Sequence, residues 1–233
     1  MINTFNESSL HKELKEKYKT LCGGKCEIEC EGFICDVISD KIIYEIQTAN
    51  LSKLRAKIEK LSTRYKLCVV FTVAENTEII TVDQNEKFLS KRKSPKKENI
   101  FCIFRQITGI LDLFNLENFS IKVLLINQQR IRQKTSEAVQ LINKSRRKKR
   151  EWVPLDKKLT SINGELEIES TDDLINLVKA ELEKLKIEKF CAKDLKNSAI
   201  KEYASWVIWG LKKINAIKYL ETLNKIKYFI FVK

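Results

Sequence analysis

Two acidic side chains and a glutamine lie close together in one apolar stretch of the chain. Asp36 is followed, after eight intervening residues, by Glu45, and Gln47 stands two residues further on. If a two-residue turn at 40–41 joins two antiparallel strands, Asp36 falls directly opposite Glu45, with Cβ atoms about 4.5–5.5 Å apart. Gln47 then projects from the same face as Glu45, because side chains alternate along a strand.

Such a carboxylate pair predicts a site for a divalent cation. The residues around it are apolar at both strand faces, as in central strands of a sheet: Ile34, Val37, Ile38, Ile42, Ile43 and Ile46. Like charges in that setting repel each other and lose hydration, and a cation would neutralise them. Carboxylate oxygens suit Mg²⁺ or Mn²⁺, whose remaining positions can take a phosphate. The alternative is a pair of exposed carboxylates at strand ends.

The elements that must position these residues alternate along the chain. Helices are predicted over 8–20, 50–64 and 100–113, and strands over 25–48 (a hairpin-rich stretch), 66–74, 78–82 and 120–127. This order indicates the α/β class, with a mixed sheet and helices packed on its faces.

The spacing of Asp36 and Glu45-Ile46-Gln47 resembles the PD-(D/E)xK, or restriction-endonuclease-like, nuclease superfamily in an ExQ variant. The predicted order of a helix, the hairpin, a helix and a strand is also similar. The resemblance covers roughly residues 8–80 and extends loosely to about 128. It implies a restriction-endonuclease-like sheet and metal-dependent hydrolysis of phosphodiester bonds.

The resemblance also implies roles for individual residues. The metal ligands would be Asp36, Glu45, the backbone carbonyl of Ile46 and, on the preceding helix, Glu13, with Glu16 as second choice. Cys35 replaces the usual proline, and Gln47 replaces the usual lysine. A glutamine amide can orient water but carries no positive charge. Lys53, or Lys57 one turn further on, would replace that charge, so the implied catalytic set is Asp36, Glu45, Gln47 and Lys53.

The net charge of +13 is concentrated in two segments. Residues 87–97 hold six basic and no acidic residues, and residues 130–150 hold nine basic and one acidic residue. Such clusters favour contact with a polyanion, most simply duplex DNA. Solvated basic loops and an anionic membrane are alternatives. The expected DNA-binding residues are Lys91, Arg92, Lys93, Arg146, Arg147, Lys148, Lys149 and Arg150.

The hydrophobic pattern changes after residue 169. Helices are predicted over 171–185, 192–199 and 202–214, followed by a hairpin that turns near 223–225. Three helices and a hairpin are typical of a winged helix, which would bring Lys201, Lys212 and Lys213 to phosphates. The predicted domains are therefore a nuclease-like unit, 1–169, and a winged-helix-like unit, 170–233.

Other site chemistries find less support in the sequence. The sequence has no long apolar run and no signal segment, so a cytoplasmic protein is expected. The number of cysteines is odd (seven), which favours reduced thiols. The spacing of Cys22, Cys26, Cys30 and Cys35 does not match a common zinc site. His11, the only histidine, has no accompanying nucleophile motif and reads as a helix surface residue.

These observations predict a Mg²⁺- or Mn²⁺-dependent DNA endonuclease of restriction, mobile-element or repair type, which could act as a homodimer. A nuclease fold that has lost activity and binds DNA is one alternative, favoured by Gln47. An RNA-directed nuclease is another.

Overall fold

The computed structural model describes residues 7–141 and 149–232. Its first half is a helix, a three-stranded antiparallel meander, a helical crossover and a strand parallel to the third. The elements are α1 (Ser9–Cys22), β1 (Lys25–Cys30), β2 (Phe33–Ile38), β3 (Ile42–Gln47), a 3₁₀ turn (Leu51–Leu54), α2 (Arg55–Leu61) and β4 (Lys66–Val82). Gly23, with φ +63°, ends α1 as expected.

The second half completes one seven-stranded sheet. Its elements are β5 (Phe88–Lys93), 3₁₀ segments at Ile100–Cys102, Ile107–Gly109 and Leu111–Asn115 around the short α3 (Ile103–Gln106), β6 (Phe119–Gln140) and β7 (Lys149–Ile168). The strand order is β1-β2-β3-β4-β6-β7, with β5 paired to the far end of β4. β4 is parallel to β3 and β6, and the other pairs are antiparallel. The expected α/β mixed sheet with flanking helices is confirmed.

Several segments before β6 differ from their sequence predictions. Residues 66–82 form one strand, because a bulge at Glu75 absorbs the apparent break while pairing to β6 continues. The basic segment 87–97 contains strand β5 and is not only a loop. The segment 100–113 forms mostly 3₁₀ turns, since its isoleucines and Gly109 have low helix propensity.

Each face of the sheet has its own apolar core. On one face, α1 packs through Leu10, Leu14 and Tyr18 onto strand residues that include Val70 and Ile46. On the other face a larger cluster joins the sheet to α2, α3 and the C-terminal helices. The candidate hairpin therefore lies between two packed layers.

The C-terminal segment begins with a well-capped helix. The Ser170 and Asp173 side chains form a reciprocal capping box at the start of α4 (Thr171–Lys184). Two 3₁₀ turns (Asp194–Asn197 and Lys201–Tyr203), α5 (Ala204–Lys213), and a hairpin of β8 (Ile217–Leu223) and β9 (Ile226–Phe231) follow. The expected helix over 192–199 is only a 3₁₀ turn, because extended backbone at Ser198 ends it.

The C-terminal segment shares its core with the sheet. Leu174, Val178 and Val207 belong to the same apolar cluster as Val69 on β4. Gly210 of α5 lies so close to α3 that a Cβ there would be 3.1 Å from the ring of Phe104. The predicted boundary at 169/170 falls between β7 and α4. No described helix is long and apolar enough to cross a membrane.

Candidate active site

The backbone ladder between β2 and β3 gives way to side-chain hydrogen bonds at Asp36 and Glu45. Val37 pairs with Tyr44, and Ile38 with Ile43, which is the register that the two-residue turn predicted. Beyond this pair, the Asp36 N–H donates to Glu45 Oε1 (3.2 Å), and the Ile46 N–H donates to Asp36 Oδ2 (2.8 Å). The two predicted carboxylates are therefore neighbours, and each accepts a hydrogen bond from the backbone of the strand that carries the other.

The irregularity extends to the other neighbour of β2. Pairing with β1 joins Cys26 to Val37 and Ile28 to Cys35, but skips Asp36. Glu27, which would stand opposite Asp36, has a left-handed backbone with φ +55°. Regular pairing is therefore interrupted on both sides of Asp36. As a result, its side chain does not have to follow the alternation of side chains between the two faces of a regular strand.

Glu45 is almost completely buried, with 4% of its surface exposed. Its Oε1 lies 2.5 Å from Nζ of Lys57, which reaches it from α2 and also donates to the Ile34 carbonyl (2.6 Å). Burial and the neighbouring Asp36 charge raise the pKa of Glu45 to about 7, although Lys57 opposes the rise. Glu45 can therefore change its protonation state near neutral pH.

Asp36 has a different partner, the imidazole of His11 on α1. His11 Nε2 lies 3.4 Å from Asp36 Oδ2 and 3.0 Å from the Ile46 carbonyl oxygen, and Nδ1 contacts Glu7. Burial alone would raise the pKa of Asp36, but the hydrogen bond and charge of His11 outweigh it and lower that pKa. Burial would lower the pKa of His11, but Asp36 and Glu7 outweigh it and raise that pKa.

The site can be compared with what a divalent cation needs. Asp36 Oδ2 and the Ile46 carbonyl oxygen lie 3.4 Å and 3.0 Å from the same atom, His11 Nε2, so both oxygens face the imidazole. With Glu45 beside them, the donors are hard oxygens of the kind that Mg²⁺ and Mn²⁺ prefer. Within residues 7–141 and 149–232, however, no group of three or more His, Cys, Asp or Glu residues suits a metal. A cation at these oxygens would have to compete with His11 and Lys57.

Two residues predicted around the pair lie on the protein surface and contact neither carboxylate within the described part of the chain. Glu13 is exposed on α1, and the residue of this helix whose side chain hydrogen-bonds to the hairpin is His11. Lys53 is also exposed, and the lysine that reaches Glu45 is Lys57. Helix phase explains both positions. His11 follows the buried Leu10, whereas Glu13 lies on the outer face.

The remaining motif residues are placed as follows. Gln47 is half-buried at the end of β3, opposite Phe71 of β4, and its side chain makes no hydrogen bond within the described part of the chain. Glu16 is exposed and pairs with Lys19. The four early cysteines divide between the two cores, Cys22 and Cys26 on the α1 face and Cys30 and Cys35 on the other, so they do not converge.

The predicted DNA-binding residues are on the surface wherever the structure describes them. Exposed side chains are Lys91, Arg92, Lys93, Lys149, Arg150, Lys201, Lys212 and Lys213. Lys91 is already paired with Glu78 (2.8 Å), and Lys212 Nζ lies 4.3 Å from the ring centre of Phe229. Arg146, Arg147 and Lys148 lie outside the described residues.

The comparisons with known proteins place the chain in one family. Residues 8–169 match the family described as "Domain of unknown function (DUF8091)", and the chain belongs to it. An uncharacterized protein of Treponema pallidum (strain Nichols) is 32% identical over 216 residues, which cover 91% of this chain and 80% of that protein. No solved structure matches.

Proposed function

We propose that the protein is a metal-dependent DNA endonuclease of the PD-(D/E)xK kind. The observation that carries the proposal is the reciprocal pair of Asp36 and Glu45, each carboxylate accepting a backbone N–H from the other's strand segment. The order of α1, a meander, a helical crossover and parallel β4 around this pair also supports it. The reaction would be hydrolysis of a phosphodiester bond.

In this proposal, each residue of the site has its own role. Asp36, Glu45 and the Ile46 carbonyl would hold Mg²⁺ or Mn²⁺, which supplies an acidified water and neutralises charge on the phosphate. Lys57 provides the buried positive charge that Gln47 lacks and keeps the Glu45 carboxylate in place. Gln47, with no other hydrogen bond among the described residues, is free to orient the attacking water.

Several finer features belong to the same proposal. The substrate would be duplex DNA, in restriction, mobile-element or repair chemistry in the cytoplasm. The segment 170–233 would act as a winged-helix-like DNA-binding unit, because α5 presents Lys212 and Lys213 on its exposed side. Cleavage of both strands would require a homodimer.

One observation favours a second candidate, a DNA-binding protein with an inactive nuclease fold. Both carboxylates already have cationic partners, His11 for Asp36 and Lys57 for Glu45. Lys57, together with His11 when its imidazole is protonated, neutralises the pair without a metal ion. A protein of this kind would bind nucleic acid and leave it intact.

A plasmid-nicking assay separates the two candidates. The endonuclease nicks supercoiled DNA with Mg²⁺ or Mn²⁺, stops in EDTA, and loses activity in Asp36→Asn and Glu45→Gln. Glu13→Gln is the matched control, since Glu13 is an exposed carboxylate on the neighbouring helix. Binding without cleavage of DNA or RNA supports the second candidate, and preferential cleavage of RNA identifies an RNA-directed enzyme. Nicking that persists in Asp36→Asn contradicts the proposed site.

A further inference from the structure

The ends of strands β4, β6 and β7, together with β5, extend the sheet away from its packed core. We call residues 77–82, 88–93, 128–134 and 150–159 the arm. Ile79 pairs with both Arg92 and Arg130, and Arg130 pairs with Lys157. Directly paired residues share one face of a sheet, so Arg92, Arg130 and Lys157 form a row across four strands.

Two further residues continue this row along the strands. Arg132 lies two residues beyond Arg130, and its Nε donates to Thr81 Oγ1 (2.9 Å). Trp152 pairs with Lys134, another residue of the same face. The guanidinium of Arg132 lies 5.1 Å from the Trp152 ring centre, and that of Arg150 lies 5.7 Å from it. We call this surface the arginine face; it comprises Arg92, Arg130, Arg132, Lys157 and Trp152.

The opposite face of the arm carries acidic as well as basic side chains. Glu78 accepts from Gln129 (3.0 Å) and pairs with Lys91 (2.8 Å), and Lys93 and Lys158 lie in register with these residues. On the arginine face, none of the four cations has an acidic partner among residues 7–141 and 149–232. The segments 1–6 and 142–148 contain no Asp or Glu.

Such a face is unfavourable without an anion. Burial and the charge of Arg130 lower the pKa of Lys157, and burial and Arg92 lower the pKa of Arg132. Both effects reflect cations that repel each other while losing hydration. Arg132 is also restrained in advance, because Thr81 and the Trp152 indole hold its guanidinium in place.

The dimensions of the face indicate a polymer. Strand spacing places Arg92 and Arg130 about 10 Å apart, and strand rise separates Arg130 from Arg132 by about 7 Å. One phosphate ion cannot bridge such distances, whereas successive phosphates of a chain can. Guanidinium groups on rigid strands also suit bidentate phosphate contacts.

We propose that the arginine face binds the phosphodiester backbone of a nucleic acid, and that the opposite face of the arm does not, although the charge pattern of the sequence alone predicts Lys91 and Lys93 of that face as DNA-binding residues. This inference deepens the proposed function by assigning the surface that holds the polymer. It can fail separately, because binding to the arm requires neither Asp36 nor a metal ion.

Binding measured by fluorescence anisotropy in EDTA tests the inference. Labelled duplex DNA, single-stranded DNA and RNA serve as probes, since all three share the phosphodiester backbone. The variant Arg92→Gln/Arg130→Gln removes two exposed cations from the arginine face. The control Lys91→Gln/Lys158→Gln removes the same charge from the opposite face.

The arginine variant should bind the preferred probe at least tenfold more weakly, with a salt slope smaller by about 2, while the control stays within twofold. Trp152→Leu keeps every charge but releases Arg132 and Arg150, so binding should weaken several-fold. Equal losses in the two double variants, or binding only to anionic phospholipid vesicles, would overturn the proposal. Unchanged binding in Trp152→Leu would overturn the positioning role of the indole.

Discussion

Lys57 on α2 forms an ion pair with Glu45 on β3 across the buried side of the hairpin, with Nζ 2.5 Å from Oε1. The same ammonium donates to the Ile34 carbonyl of β2. One lysine therefore ties the crossover helix to both strands that carry the candidate site. Lys57 thus places a positive charge beside the motif Glu45-Ile46-Gln47, whose third residue has only a neutral amide.

Replacing Lys57 by methionine should affect both activity and stability. The variant leaves Glu45 buried without its cation, which typically costs about 3 kcal/mol of folding free energy when the carboxylate stays charged. Nicking activity should also fall, because the site loses its buried positive charge. Urea denaturation and the nicking assay measure the two effects. Lys53→Met, an exposed change in the preceding turn, should leave both unaltered, and equal effects in the two variants would contradict this role.

Stability should depend on pH through Glu45. Its folded-state pKa of about 7 lies above the ordinary value of 4.5, so the folded protein retains a proton that the unfolded chain releases. The folding free energy that Glu45 contributes is therefore present below pH 4.5 and is lost as pH rises to about 7. The wild type should lose on the order of 3 kcal/mol relative to Glu45→Gln across this range. Denaturation of both proteins at pH 5 and pH 8 measures the difference, and parallel changes would argue against a raised pKa.

His11 should compete with a bound cation. Its Nε2 contacts the Asp36 carboxylate and the Ile46 carbonyl, which are the oxygens proposed for the metal. His11→Ala removes a charge-assisted hydrogen bond of about 1.5 kcal/mol, so Mn²⁺ affinity should rise roughly tenfold. Isothermal titration calorimetry measures the change. Weaker Mn²⁺ binding in His11→Ala would instead indicate that the imidazole helps to hold the ion.

Gly210→Ala tests whether the C-terminal helices share the core of the sheet. A Cβ at this position would lie 3.1 Å from the Phe104 ring, so α5 and α3 would have to separate slightly. Overpacking of this kind costs about 1–3 kcal/mol. A single unfolding transition should shift to lower denaturant as a whole. If only part of the unfolding transition shifted, segment 170–233 would unfold independently of the sheet.

The hairpin and its register could be predicted from the sequence, because a two-residue turn between apolar runs fixes which residues face each other. Val37 and Tyr44 pair as that turn requires, and Asp36 and Glu45 are neighbours. The sequence could not show that side-chain hydrogen bonds interrupt the ladder at this point. Side-chain orientation at an irregular strand position depends on both neighbouring strands.

The arm could not be predicted from hydrophobic periodicity. Residues 128–134 of β6 are largely polar on both faces, so they lack the alternation that identifies a half-buried strand. They are extended because β4 and β7 pair with them on either side. The role of His11 was missed for a related reason. A histidine that borders the apolar stripe of α1 can face solvent or the sheet, and only the packing angle of the helix decides.

Titration of Mn²⁺ into the protein, followed by electron paramagnetic resonance, tests the central proposal most directly. The wild type should bind one ion, and Asp36→Asn/Glu45→Gln should lose that ion while its circular dichroism and melting remain those of a folded protein. Glu13→Gln should bind Mn²⁺ like the wild type. Absence of binding by the wild type, or undiminished binding by the double variant, would contradict a metal site at this carboxylate pair.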